Sequence, residues 1–201
     1  MEPAPLTTAH VAKASQRDRG GENIMSGVAQ ADTIRYLILE AIRGETLLST
    51  IYENESQPVW AYLFEETEWA PYKHQGPVIV EAMQSSELYR ALLAGLKGSR
   101  KITGLILESD KGMNKVAGWA RARLTVRLDK DRTALLRFYD PVIWHKLEPG
   151  ENANDNPIGR AIYWHGSAGE GRWIINVHPD PLTMNEMPIL EPEQRKALAP
   201  A

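Results

Sequence analysis

Arg137-Phe138-Tyr139-Asp140-Pro141 is the stretch from which the rest of the chain is read. It ends a run, Thr133 to Tyr139, whose aliphatic and aromatic content predicts a strand. Asp140-Pro141 then carries two marks of a helix start. An aspartate accepts the orphan amide hydrogens of the first turn, and proline suits the first helical position because no N–H is needed there. Val142 to Leu147 follows as about one and a half turns of helix. The same residues place a carboxylate at the tip of a strand-to-helix turn, where open α/β sheets bind ligands. What else the chain offers decides between corner and site.

The 201 residues, 43% hydrophobic and 24% charged, are enough for one domain with a real core and tails. A net charge of −3 gives no basic excess, so a nucleic-acid partner is not expected. There is no cysteine, which excludes disulfides, thiolate metal sites and cysteine nucleophiles and fits a reducing compartment. No apolar run has the length that spans a bilayer. Residues 1–30 lack the apolar core of a signal peptide and read as a disordered leader broken at Gly20-Gly21, with Met25 as a candidate initiator. A cytoplasmic protein without membrane insertion is therefore expected.

Outward from the corner, strands and helices alternate. Ile34 to Leu39 is apolar on both faces and predicts a strand covered on both sides. Glu45 to Glu53 has helical spacing, Val59 to Phe64 reads as a strand, and Gly76-Pro77 turns into the apolar run Val78-Ile79-Val80. A helix capped by Ser85 or Ser86 carries Leu88, Leu92 and Leu96 as one stripe and is expected to end at Gly98. Ile102 to Leu107 is a strand, followed by a helix through Leu124 capped by Ser109 or Asp110. Hairpins are predicted across residues 129–132 and between Arg160 to Trp164 and Arg172 to Asn176. The pattern implies an α/β, mixed α+β, fold: a mixed sheet flanked by helices over residues 31–178, with a C-terminal hairpin and a proline-punctuated tail over 179–201 holding a short helix.

The search for chemistry finds little. Gly166 to Gly171 lacks the Lys-Ser/Thr pair and strand-to-helix context of a phosphate loop. The histidines His10, His74, His145, His165 and His178 have no metal-ligand spacing. No nucleophile-elbow sequence is present. The strand-end carboxylates Glu81, Glu108, Asp110 and Asp140 support one alternative, a metal-dependent hydrolase, although strand ends are also where capping carboxylates belong. No cofactor is expected. The aromatic balance is more informative: six Trp and seven Tyr against two Phe. Trp and Tyr, with an apolar body and a polar handle, are favoured in protein contact patches.

Four segments together resemble one family. Tyr36 to Ala41 is similar to its opening strand, and Leu63-Phe64-Glu65-Glu66-Thr67 to its leucine-phenylalanine-threonine element. Gly76-Pro77-Val78-Ile79-Val80-Glu81 resembles its Gly-Pro strand start, and Arg137 to Pro141 its most characteristic motif. The family is that of the type VI secretion effector adaptors, or effector chaperones, catalogued as domain of unknown function 4123. The resemblance implies a non-catalytic cytoplasmic protein that binds a cognate secreted effector and helps load it onto the VgrG spike. Two departures stand out. Glu40-Ala41 replaces an Asp-Gly-like strand end, and the chain stops near the beginning of a helical C-terminal lobe that many members have. On this reading Trp60, Tyr62, Phe64, Trp69, Arg137, Tyr163, Trp164 and Trp173 are expected to contact partners. Gly76, Pro77, Phe138, Tyr139, Asp140 and Pro141 are expected to be structural motif residues. An immunity protein that neutralises a toxin is the other alternative.

Overall fold

A six-stranded sheet organises the molecule, with the first predicted strand near its centre. The computed structural model describes residues 34–42, 47–99, 102–128, 132–152, 154–167, 169–182 and 188–199. The leader expected over residues 1–30, and Met25 with it, lies outside the described residues. The sheet runs β2-β3-β1-β4-β8-β9. Its strands are β1 (Ile34–Ala41), β2 (Trp60–Tyr62), β3 (Val78–Met83), β4 (Ile102–Glu108), β8 (Arg160–Ser167) and β9 (Glu170–Val177). The pairings within it are antiparallel, and with helices packed on it the fold class is α+β.

Successive strand residues point to opposite faces, and because successive residues here are apolar, both faces are. Tyr36, Ile38, Ile79, Leu105, Leu107, Ala161 and Tyr163 belong to one core. Leu37, Leu39, Val78, Val80, Ile106 and Ile162, their strand neighbours, belong to the other. The second core is closed by α1 (Leu47–Asn54) and α2 (Glu87–Ala94) through Leu47, Ile51, Leu88 and Leu92. The first is closed by α3 (Met113–Arg121), α4 (Pro141–Leu147) and a separate hairpin of β5 (Thr125–Arg127) with β6 (Thr133–Leu135). Residues beyond 178 return to this first core. β10 (Pro179–Asp180) pairs with β7 (Gly150–Glu151), Leu182 and Leu190 are buried, and α5 (Pro192–Leu198) packs on α4.

Several predicted boundaries move, each for a local reason. The strand expected over Thr133 to Tyr139 stops at Leu135. Phe138 and Tyr139 are both fully buried, and a strand would send adjacent side chains to opposite faces. A turn closed by Asp140 N–H on the Arg137 carbonyl, 2.9 Å, sends both inward instead. Ser86 caps α2, accepting from Tyr89 N–H at 3.1 Å, but the helix ends at Ala94 and continues as a π turn, Gly95–Ser99, with Gly98 inside it. Neither Ser109 nor Asp110 caps α3. The Ser109 hydroxyl donates to the Pro157 carbonyl and accepts from Lys111 N–H, and Asp110 pairs with Lys111, so the helix starts later with Gly112 as N-cap.

Candidate partner-binding surface

The corner at Arg137 to Pro141 is built from residues with opposite fates. Asp140 accepts hydrogen bonds from Val142 N–H at 2.8 Å and Ile143 N–H at 3.5 Å, and Pro141 begins α4. The expected cap is therefore in place. Phe138 meets Trp119 edge-to-face, with centroids 6.0 Å apart, and Tyr139 at 5.7 Å. The Tyr139 hydroxyl is buried beside Arg137, and burial, reinforced by Glu40 and opposed by Arg137, pushes its pKa up. Trp144 of α4 is buried and donates its indole N–H to Asn176 of β9 at 2.8 Å. Arg137 alone turns outward, its side chain 44% exposed, and pairs with Glu40 near the end of β1. Glu40, a departure from the resembled pattern, thus holds the motif's arginine.

The Phe64 and Gly76 elements also lock together. Thr67 donates its hydroxyl to the Phe64 carbonyl at 2.6 Å, and Leu63 N–H bonds to the Pro77 carbonyl at 2.9 Å. The Phe64 ring lies so close to Gly76 that a Cβ there would be 2.3 Å from Phe64 Cδ2. Phe64 and Tyr163, expected at a contact face, are core residues at 4% and 2% exposure. Their apolar rings fill the space under the sheet and present no surface. Trp69 packs against the same core and bonds through its indole N–H to the Thr125 hydroxyl at 2.9 Å.

The remaining expected contact residues fall in two places. Trp60 and Tyr62 lie on β2 at one sheet edge, ring centroids 5.0 Å apart, with His74 4.9 Å from Tyr62. Tyr52, Val59 and Tyr72, none of them singled out in sequence, are more than half exposed. Tyr52 accepts the Trp60 indole N–H at 3.1 Å, which extends this patch. Trp164 and Trp173 are cross-strand partners at the other edge, with centroids 5.4 Å apart. Lys97 of the π turn lies 6.0 Å from each of those rings.

Beside the second pair the sheet forks. β8 registers with β4 only at Arg160, Ala161 and Ile162, and its distal half parts from β4 while staying paired with β9. A cleft of about 380 Å³ fills the fork, lined by Ile42, Lys97, Ile102, Arg137, Val142 and Trp164 among others. Val142 is 60% exposed and Ile42 37%. Apolar surface, two cations and the Asp140 carboxylate thus meet at the signature corner. Helical phase beside the buried Trp144 marks Val142 as outward; Lys97 carries no local signal, because its neighbours come from β8 and β9.

The strand-end carboxylates do not meet at this cleft. Asp140 lines it, near the start of β4. Glu108 ends β4 and lines a second cleft of about 1450 Å³ with Asp110, Lys111, Lys115 and Trp119. There Glu108 is held by Arg35 and, at 3.4 Å, by Arg160. Among the described residues no group of three or more His, Cys, Asp or Glu is placed to hold a metal ion.

A family model described as domain of unknown function (DUF4123) matches residues 35–155, from the start of β1 to the loop after β7. No curated protein and no solved structure matches the chain. Among the described residues no helix is long and apolar enough to cross a membrane.

Proposed function

The chain belongs to the DUF4123 family, and from that premise we propose that it is an adaptor that holds a cognate type VI secretion effector and helps load it onto the VgrG spike. The fork beside the signature corner supports the reading most. Phe138 and Tyr139 are spent on packing, while Arg137, Asp140, Val142, Ile42 and Trp164 line an accessible cleft of mixed apolar and charged character. Apolar and aromatic surface with a charged rim, Arg among its residues, is the composition in which protein contacts are enriched. A specific complex is expected to bury on the order of 1,200–2,000 Å² in total.

Co-expression with a candidate effector and a VgrG spike protein from the same cell is the test. Recovery of a stable complex with the effector, and loss of that effector's secretion on deletion of the adaptor, are the expected outcomes. Recovery of neither partner, with secretion intact in the deletion strain, removes the proposal. Inhibition of the purified toxin by the protein, with protection that does not depend on secretion, identifies an immunity protein instead.

A further inference from the structure

The two edges of the sheet differ. β2 is three residues long, and short edge strands are one way proteins blunt unwanted pairing. β9 runs for eight residues, Glu170–Val177, without proline, and among the described residues no strand pairs with its outer side. His178 N–H donates to the Gly159 carbonyl at 2.8 Å, which sets the alternation along the β8–β9 pair. Even-numbered residues bond to β8, so Gly171, Trp173, Ile175 and Val177 turn their N–H and C=O groups outward. Val177 is 48% exposed, and Trp173 and Ile175 are half-buried beside it.

We propose that β9 is the docking edge for an extended segment of the effector, which adds a strand to the sheet. The proposal rests on the adaptor reading above and names the chemistry of the partner. A row of outward amides and carbonyls is complemented by another extended backbone. Side-chain charge selects its sequence. Lys97 stands over Trp164 and Trp173, Arg172 is exposed, and no carboxylate of the described residues forms an ion pair with either. The matching strand sets apolar residues against Trp173 and Ile175 and carries a carboxylate to Lys97. A second copy of this chain fits less well, because it brings its own Lys97 and Arg172 to the same edge.

Amide hydrogen exchange, read residue by residue on the co-purified effector complex and on the protein alone, tests the edge. Exchange at Trp173, Ile175 and Val177 is expected to slow at least about tenfold in the complex, while Ile174 and Asn176, already bonded to β8, change less. A complex that forms with those three amides unprotected overturns the edge assignment and leaves the adaptor reading standing. Failure to form any complex overturns both. Protection in the protein alone that grows with its concentration assigns the edge to a second copy and overturns the proposal. As a second arm, Val177→Pro removes one outward N–H at an exposed position, with Val177→Ala as control. Weaker effector binding by the proline variant alone is expected; equal binding by the two counts against strand pairing.

Discussion

Replacing Gly76 by alanine puts a methyl where the Phe64 ring already stands, 2.3 Å from Cδ2 and 2.5 Å from Cε2. Carbon atoms rest at about 3.5–4.0 Å, so the ring has to move. Phe64 is 4% exposed within the first core and has no open solvent to swing into. The backbone is no obstacle, because Gly76 has φ −94° and ψ −178°, extended values open to any residue. Alanine in fact gains about 0.4–1 kcal/mol by restricting the unfolded chain. Overpacking costs about 1–3 kcal/mol, leaving a net destabilisation of up to about 2.5 kcal/mol. For a chain of this length each kcal/mol lowers Tm by roughly 2–4 °C. Urea unfolding of a double-mutant cycle isolates the contact. Phe64→Ala alone is expected to cost about 3–5 kcal/mol. In that background Gly76→Ala should be neutral or stabilising, a coupling of about 1–3 kcal/mol. Phe64→Leu supplies a milder background for the same cycle. An equal cost of Gly76→Ala with and without the Phe64 ring refutes the contact as the reason for glycine.

Asp140→Ala should cost about 1 kcal/mol by loss of the α4 cap, whereas Asp140→Asn should lose only a few tenths; thermal melts of the two compare them. Asp180→Ala is expected to cost about 3–5 kcal/mol, because Arg123, 5% exposed and 3.0 Å from Asp180, would be left as an unpaired buried cation. A cost no larger than that of an exposed ion pair shows that the strap from α3 to the C-terminal segment adds little. His165 stacks on His145 at 4.0 Å, and burial, with His145 and Arg172, holds its pKa below the usual histidine value. A lowered folded pKa means that the unfolded chain binds the proton first. This contribution is thus complete above pH 6.5, the ordinary histidine value, and is lost as pH falls toward the folded pKa. His165→Gln should flatten stability over that interval in chemical denaturation, and an unchanged slope contradicts the assignment. Arg137→Ala should weaken effector binding more than it lowers Tm, since its side chain is 44% exposed and its ion pair with Glu40 is partly screened.

Sequence determined what depends on near neighbours. Apolar residues at successive positions made Ile34 to Leu39 a strand covered on both sides, and helices packed on the two faces of the sheet bury β1 there. Asp140-Pro141 specified a helix start from two adjacent residues, because a cap closes on amides within its own first turn. The order of short motifs pointed to the family. Only the tertiary structure decided which aromatics are core. Phe64 and Tyr163 look in sequence like Tyr62 and Trp164, yet one pair fills the interior and the other reaches solvent. That difference depends on what packs over each residue, Phe64 in the turn after β2 and the others on strands, and no local pattern encodes it. The fork has the same origin, because Lys97, Arg137 and Trp164 come from a π turn, a loop and a strand that meet only where β8 leaves β4. The corner is therefore both things at once, a locally written helix start and one wall of a cleft that long-range packing creates.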